Sequence, residues 1–131
     1  VVCLAPITPA TKGMLGAREL GLIRDGGVFV NVSRGQIVDS DALIAELRSE
    51  RIVAALDVFD PEPIPEDSPI RDLPNVFVTA HTAAFTKSTR QRNVAIMADE
   101  LDRFLAGDET RYDLLPRTIA NRTGKEPQRR V

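Results

Sequence analysis

The sequence predicts an α/β fold built on an open parallel sheet, and three observations carry that expectation. Four short apolar runs have strand length: Val1–Ala5, Val28–Val32, Ile52–Asp57 and Val76–Thr79. Helical spacing of apolar residues separates the first three, which gives the alternation of strand and helix that crossover units require. Each run also stops at polar or turn-forming residues: Pro6, Ser33-Arg34, Asp57 and Ala80-His81. Open sheets of this kind bind ligands at the carboxyl ends of their strands, so these residues mark the expected site.

The elements follow in order. Val1–Ala5 is a continuous apolar run closed by Pro6, which predicts a strand buried on both faces. The Thr- and Pro-rich stretch to Lys12 breaks it. Leu20 and Ile23 stand at helical spacing between Gly16 and the stop signal Asp25-Gly26-Gly27, predicting a short helix over 17–23. After the second strand, Asp39 or Ser40 can cap a helix whose face carries Leu43, Ile44 and Leu47. The third strand follows. Between Asp60 and Pro74 the prolines rule out a long helix, so an extended surface segment leads to the fourth strand. From Lys87 to Ala106, Val94, Met97, Ala98, Leu101 and Leu105 line one face of a helix roughly 30 Å long, ended by Gly107. The expected domain division is 1–107 and a polar arm over 108–131 with a basic tail from Lys125 to Arg130.

Composition limits the functions. The 131 residues are 43% apolar and 27% charged, a globular balance. A net charge of −2 offers no electrostatic footprint for nucleic acid, which leaves a small molecule as the expected partner. No run approaches the roughly 20 apolar residues of a membrane span. The lone Cys3 has no intramolecular partner and reads as a buried, reduced thiol, which favours the cytoplasm. One His and one distant Cys argue against a metal site. The chain opens inside an expected strand without Met, so it is expected to be part of a longer protein.

Four ordered motifs now stand out. Pro6-Ile-Thr-Pro-Ala-Thr11, Asn31-Val-Ser-Arg-Gly-Gln-Ile-Val-Asp39, Leu56-Asp-Val-Phe-Asp-Pro-Glu-Pro63 and Asn75-Val-Phe-Val-Thr-Ala-His-Thr-Ala-Ala84 together resemble the D-isomer-specific 2-hydroxyacid dehydrogenases. The resemblance runs from the first residue to about Gly107. It implies a partial Rossmann-like parallel sheet, the second half of a dinucleotide-binding domain, with a long helix returning to a substrate domain. No Gly-x-Gly-x-x-Gly occurs in the sequence, so the phosphate loop is expected upstream.

The chemistry implied is hydride transfer between NAD, with NADP not excluded, and a small D-2-hydroxy acid or 2-oxo acid. Such a reaction needs a proton donor for the carbonyl oxygen and a cation for the carboxylate. His81 suits the first role, since imidazole exchanges protons near neutral pH, and the resemblance places Glu62 against it. Arg34 suits the second, because its planar fork grips a carboxylate with two hydrogen bonds and stays charged. Gly35 after it is expected to permit a tight turn. The resemblance gives Asp57 the nicotinamide carboxamide, and lines the cofactor groove with Pro6, Thr11, Val32 and Ser33, together with Arg34, His81, Ala83 and Ala84. The sequence departs from the family pattern in three places: Leu4 where His or Asn is common, Ala80 where proline usually precedes the histidine, and Ala84 where glycine or serine is frequent.

Plainer readings compete at each position. Out of context, His81 is a structural or exposed residue, Arg34 a solvated cation, Glu62 a loop carboxylate, and Asp57 an acceptor for buried amides. The stripe on the long helix reads as core or as the contact of a homodimer. As alternatives to an enzyme, the resemblance also admits a corepressor-type binding protein that senses the dinucleotide, and an isolated chain that is inactive.

Overall fold

Four strands form one parallel sheet in the order β1-β2-β3-β4, with β1 at Val2–Cys3, β2 at Val28–Asn31, β3 at Val53–Leu56 and β4 at Val76–Val78. Sequential order and parallel direction together send all four carboxyl ends to the same edge of the sheet. The computed structural model describes residues 1–124, and the expected basic tail lies outside the described residues. Two compact units are present, Val1–His81 and a second beginning at Thr82.

In the first unit, β-branched and apolar residues alternate in and out of the core as the period of a strand dictates. Phe29 and Ala54 are fully buried, while their neighbours Val28 and Val53 are 48% and 45% exposed. The expectation that the first strand is buried on both faces is corrected in the same way, since Val2 is 58% exposed while Cys3 is buried. The buried face receives the helices α1 (Ala17–Gly21) and α2 (Ser40–Arg48), whose Leu20, Leu43 and Leu47 join Phe29, Ile37, Ile52 and Leu56 in the core. Burying such side chains stabilises by roughly 1.5–3 kcal/mol each relative to exposure.

Local signals set the ends of α2. The Asp39 carboxylate accepts from the Ala42 amide at 3.0 Å and fills a donor the helix leaves unpaired. Beyond its last turn, Arg51 ties the helical layer together. Its guanidinium donates to Asp25 at 3.1 Å, to Glu46 and to the carbonyls of Leu20 and Ile23. The bond to Asp25, followed by those to Glu46, holds the Arg51 pKa above its ordinary value against the opposing effect of burial. The extended segment expected between β3 and β4 is present, interrupted by one turn of 3-10 helix at Pro69–Asp72 whose Ile70 is buried.

The second unit contains α3 (Lys87–Ala106), capped by Thr86, which accepts from the Thr89 amide at 3.1 Å. It ends at Gly107, whose φ of 78° is the left-handed conformation that glycine adopts without steric cost. The Glu100 carboxylate accepts from the amides of Arg111 and Tyr112 at 2.8 and 3.0 Å and folds the following chain back. A short helix, α4 (Pro116–Thr123), lies where the sequence predicts only a polar arm. The apolar stripe of α3 is exposed, with Val94, Met97 and Leu105 each about 70% accessible or close to it (68%, 72% and 74%). No described helix is long and apolar enough to cross a membrane.

Candidate active site

The site begins where β4 ends. The chain leaves the strand through Thr79 and Ala80, and the His81 amide donates to the Asp57 carbonyl at 2.9 Å, one step beyond β3. His81 then adopts φ 53°, a left-handed conformation uncommon for a residue with a side chain. Such a conformation costs roughly 1–3 kcal/mol and persists only where surrounding contacts enforce it. Here it turns the chain sharply out of the sheet at the imidazole.

Glu62 comes to meet it from the segment after β3. Nδ1 of His81 and Oε1 of Glu62 stand 2.5 Å apart, and the two side chains are 43% and 37% exposed. An imidazole held at Nδ1 by a carboxylate has a fixed ring orientation and presents Nε2 to whatever binds beside it. The second Glu62 oxygen makes a long 3.5 Å contact with the Phe59 amide. Both residues line an open cleft of about 490 Å³ with Phe59, Pro63, Arg71 and Val78. A separate cavity of about 280 Å³ lies beneath the 59–70 segment, and none of the expected site residues lines it.

Arg34 is placed at the carboxyl end of β2, exposed, with Nη1 donating to its neighbour Ser33 O at 2.6 Å. It does not line the cleft shared by Glu62 and His81. Its loop is shaped by Asn31, which is 2% exposed: Nδ2 donates to Arg34 O at 3.0 Å, and Oδ1 accepts from the Ser33 amide at 3.1 Å. Sequence reasoning gave Asn31 no role, although an Asn two residues before a turn is a known loop-forming signal. Gly35 is needed for a different reason from the expected one. It has no positive φ; a Cβ there would stand 2.0 Å from the carbonyl carbon of Phe59, so glycine permits the β2 loop to lie against the β3 loop.

Asp57 is 3% exposed and accepts from the Thr79 hydroxyl at 2.5 Å, a partner the sequence did not reveal. Its backbone bonds to Asn31 and His81, so it sits between the strand ends that carry the other candidates. Ser33 is half-buried and its hydroxyl donates to Ala5 O. Val32 is 37% exposed. The Thr11 hydroxyl donates to Pro6 O at 2.7 Å and accepts from the Thr8 amide at 2.8 Å, pinning the Pro6–Thr11 loop. Ala83 and Ala84 are exposed and belong to the second unit. No group of His, Cys, Asp and Glu suited to a metal occurs among the described residues.

These strand ends fit the nicotinamide end of a dinucleotide better than its pyrophosphate. A buried carboxylate at Asp57 and small or hydroxyl side chains at Ser33 and Thr11 suit an amide-bearing ring. Phosphates require a cradle of glycine-rich backbone amides opening a helix, and that motif does not occur in the sequence.

Comparison with known proteins identifies the family. The family model described as D-isomer specific 2-hydroxyacid dehydrogenase, NAD binding domain, matches residues 1–83. Glyoxylate/hydroxypyruvate reductase B of Cronobacter sakazakii is 37% identical over 120 residues, covering 91% of this chain and 37% of its own. The protein of the same name from Citrobacter koseri is 43% identical over 108 residues, covering 81% and 33%. Among solved structures, a D-isomer specific 2-hydroxyacid dehydrogenase from Xanthobacter autotrophicus Py2, in complex with NADPH and MES, superposes with a TM-score of 0.77. It is 39% identical, and the match covers 89% of this chain and 48% of that one. An NAD-complexed enzyme of the same description from Lactobacillus delbrueckii ssp. bulgaricus gives a TM-score of 0.76 at 29% identity, covering 85% and 38%. The chain spans about a third of the length of the two reductases it matches. With the family model covering well over half of its residues, the chain belongs to the D-isomer-specific 2-hydroxyacid dehydrogenases, within their NAD-binding domain.

Proposed function

We propose that the full-length protein reduces a small 2-oxo acid to the D-2-hydroxy acid with a reduced nicotinamide cofactor, NADH or NADPH. The observation that carries this reading is the 2.5 Å contact between His81 Nδ1 and Glu62 Oε1 at the carboxyl end of β4. When bound, the cofactor supplies the hydride that reaches the carbonyl carbon. His81 donates its Nε2 proton to the carbonyl oxygen as negative charge grows there, and Glu62 holds the ring in place and balances its charge while it is protonated. The Arg34 guanidinium, engaged by one backbone carbonyl, has further N–H donors with which to clamp the substrate carboxylate. Asp57 is the acceptor offered to the carboxamide. The exposed stripe of α3 supports a homodimer, to be checked by sedimentation of the full-length protein.

The test is NADH or NADPH oxidation by the full-length protein with glyoxylate and hydroxypyruvate. His81→Gln is expected to lower kcat by about 10²–10⁴-fold, the usual worth of a positioned general acid. Arg34→Ala is expected to act mainly on KM, with a smaller effect on kcat. Proven cofactor binding without turnover across a broad panel of 2-oxo acids would overturn the reading.

A further inference from the structure

Glu62 stands in a segment that cannot hold itself. Asp60-Pro61-Glu62-Pro63-Ile64-Pro65 has a proline at every second position, so three of its six residues lack an amide donor. Neither a helix nor a strand ladder can form there, and the carbonyls need donors from elsewhere. Upstream of Glu62 the segment is fixed by Gly35, which lies against Phe59 and Asp60, and by the Ser40 hydroxyl, which donates to Asp60 O at 3.0 Å. Downstream the Ser68 amide donates to Pro65 O at 3.2 Å, and the side-chain donors come from one residue. Arg71 Nη2 donates to Ile64 O and Arg71 Nε donates to Pro65 O, each at 2.8 Å.

We propose that Arg71 is a positioning residue for the Glu62–His81 pair. Its neighbour Ile70 is buried in the core, and its amide donates to Ser68 O at 3.1 Å, so the guanidinium is mounted on a fixed turn. From there its fork spans two carbonyls two and three residues beyond Glu62. A planar guanidinium can hold two acceptors in one geometry, whereas a lysine ammonium is a single point on a flexible stem. Arg71 also lines the cleft that contains Glu62 and His81, so the clamp lies beside the site it serves. Releasing it lets the Glu62 carboxylate drift from Nδ1, and misplacing a catalytic group by about 1 Å can cost 100-fold in rate.

The proposal rests on the dehydrogenase reading, and a double-mutant cycle in the full-length protein tests it. Arg71→Gln is expected to lower kcat about 10-fold with KM little changed. In a Glu62→Gln background the same change is expected to cost less than about 2-fold, because residues acting through one interaction are not additive. Arg71→Lys is expected to restore only part of the loss. Equal losses in both backgrounds, or none in either, would overturn the role. A second readout does not depend on turnover: the Nδ1 proton resonance of His81, assigned by its absence in His81→Gln. It is expected to shift in Arg71→Gln in the direction it shifts in Glu62→Gln. An unshifted resonance overturns the positioning role even if no 2-oxo acid is a substrate, whereas absent turnover with a shifted resonance overturns only the dehydrogenase reading.

Discussion

At Gly35 a single hydrogen atom decides whether two loops of the site can touch. A methyl group in its place would stand 2.0 Å from both the carbonyl carbon and the oxygen of Phe59 and 2.6 Å from the Asp60 amide nitrogen. Those are backbone atoms, so no rotamer change relieves the clash; one loop must move. Gly35→Ala is expected to destabilise the first unit by about 3 kcal/mol, the upper part of the range for overpacking. For a domain of this size that lowers the thermal midpoint by on the order of 10–20 °C. A circular-dichroism melt with an unchanged midpoint would contradict the steric argument. From the sequence, glycine after Arg34 implied a tight turn. The true constraint was hidden because it depends on Phe59, twenty-four positions away along the chain. Arg71 escaped notice for a related reason: it belongs to none of the motifs, and the need it answers is visible only as missing amides at Pro61, Pro63 and Pro65.

Among the elements, α2 and α3 were legible because each carries both an apolar period and its own end signals. Asp39 before α2 and Gly107 after α3 act as those signals imply. Asp39→Ala is accordingly expected to cost about 1 kcal/mol through the orphaned Ala42 amide, while Asp39→Asn, which keeps an acceptor oxygen, costs a few tenths. Urea unfolding that gives the two variants equal midpoints would show that the cap contributes nothing. By contrast, α4 was missed. Its eight residues contain one large apolar side chain, Ile119, so no period exists to read, and the end signals Pro116 and Gly124 stood without one. The Arg51 cluster was equally invisible, since its partners Leu20, Ile23 and Asp25 lie in a different helical connection. An arginine is charged at neutral pH in folded and unfolded chains alike, and the raised pKa of Arg51 moves its titration further from that range. The contribution of Arg51 is therefore constant through that range and is lost only as pH rises through the folded-state value.

Across the whole molecule, the run Val1–Ala5 implied a strand buried on both faces, and Val2 is exposed. Val28 and Val53 are 48% and 45% exposed on strands whose next residues, Phe29 and Ala54, are buried, and Phe77 of β4 is 67% exposed. Uniformly apolar strands are suited to a two-sided sheet, but the sequence of the strands alone does not reveal which residues cover the second side. In the proposed function, His81, Glu62, Arg34 and Asp57 around one edge of the sheet meet the nicotinamide and the substrate. Much of the affinity for a dinucleotide resides in its pyrophosphate, which needs several backbone amides converging at a helix N-terminus. The sequence offers no glycine-rich loop for that purpose. Residues 1–131 alone are therefore expected to show no saturable NADH binding by calorimetry, while the full-length protein binds. Saturable micromolar binding by residues 1–131 would mean that the nicotinamide end suffices and that the phosphate contribution is smaller than the absent loop implies.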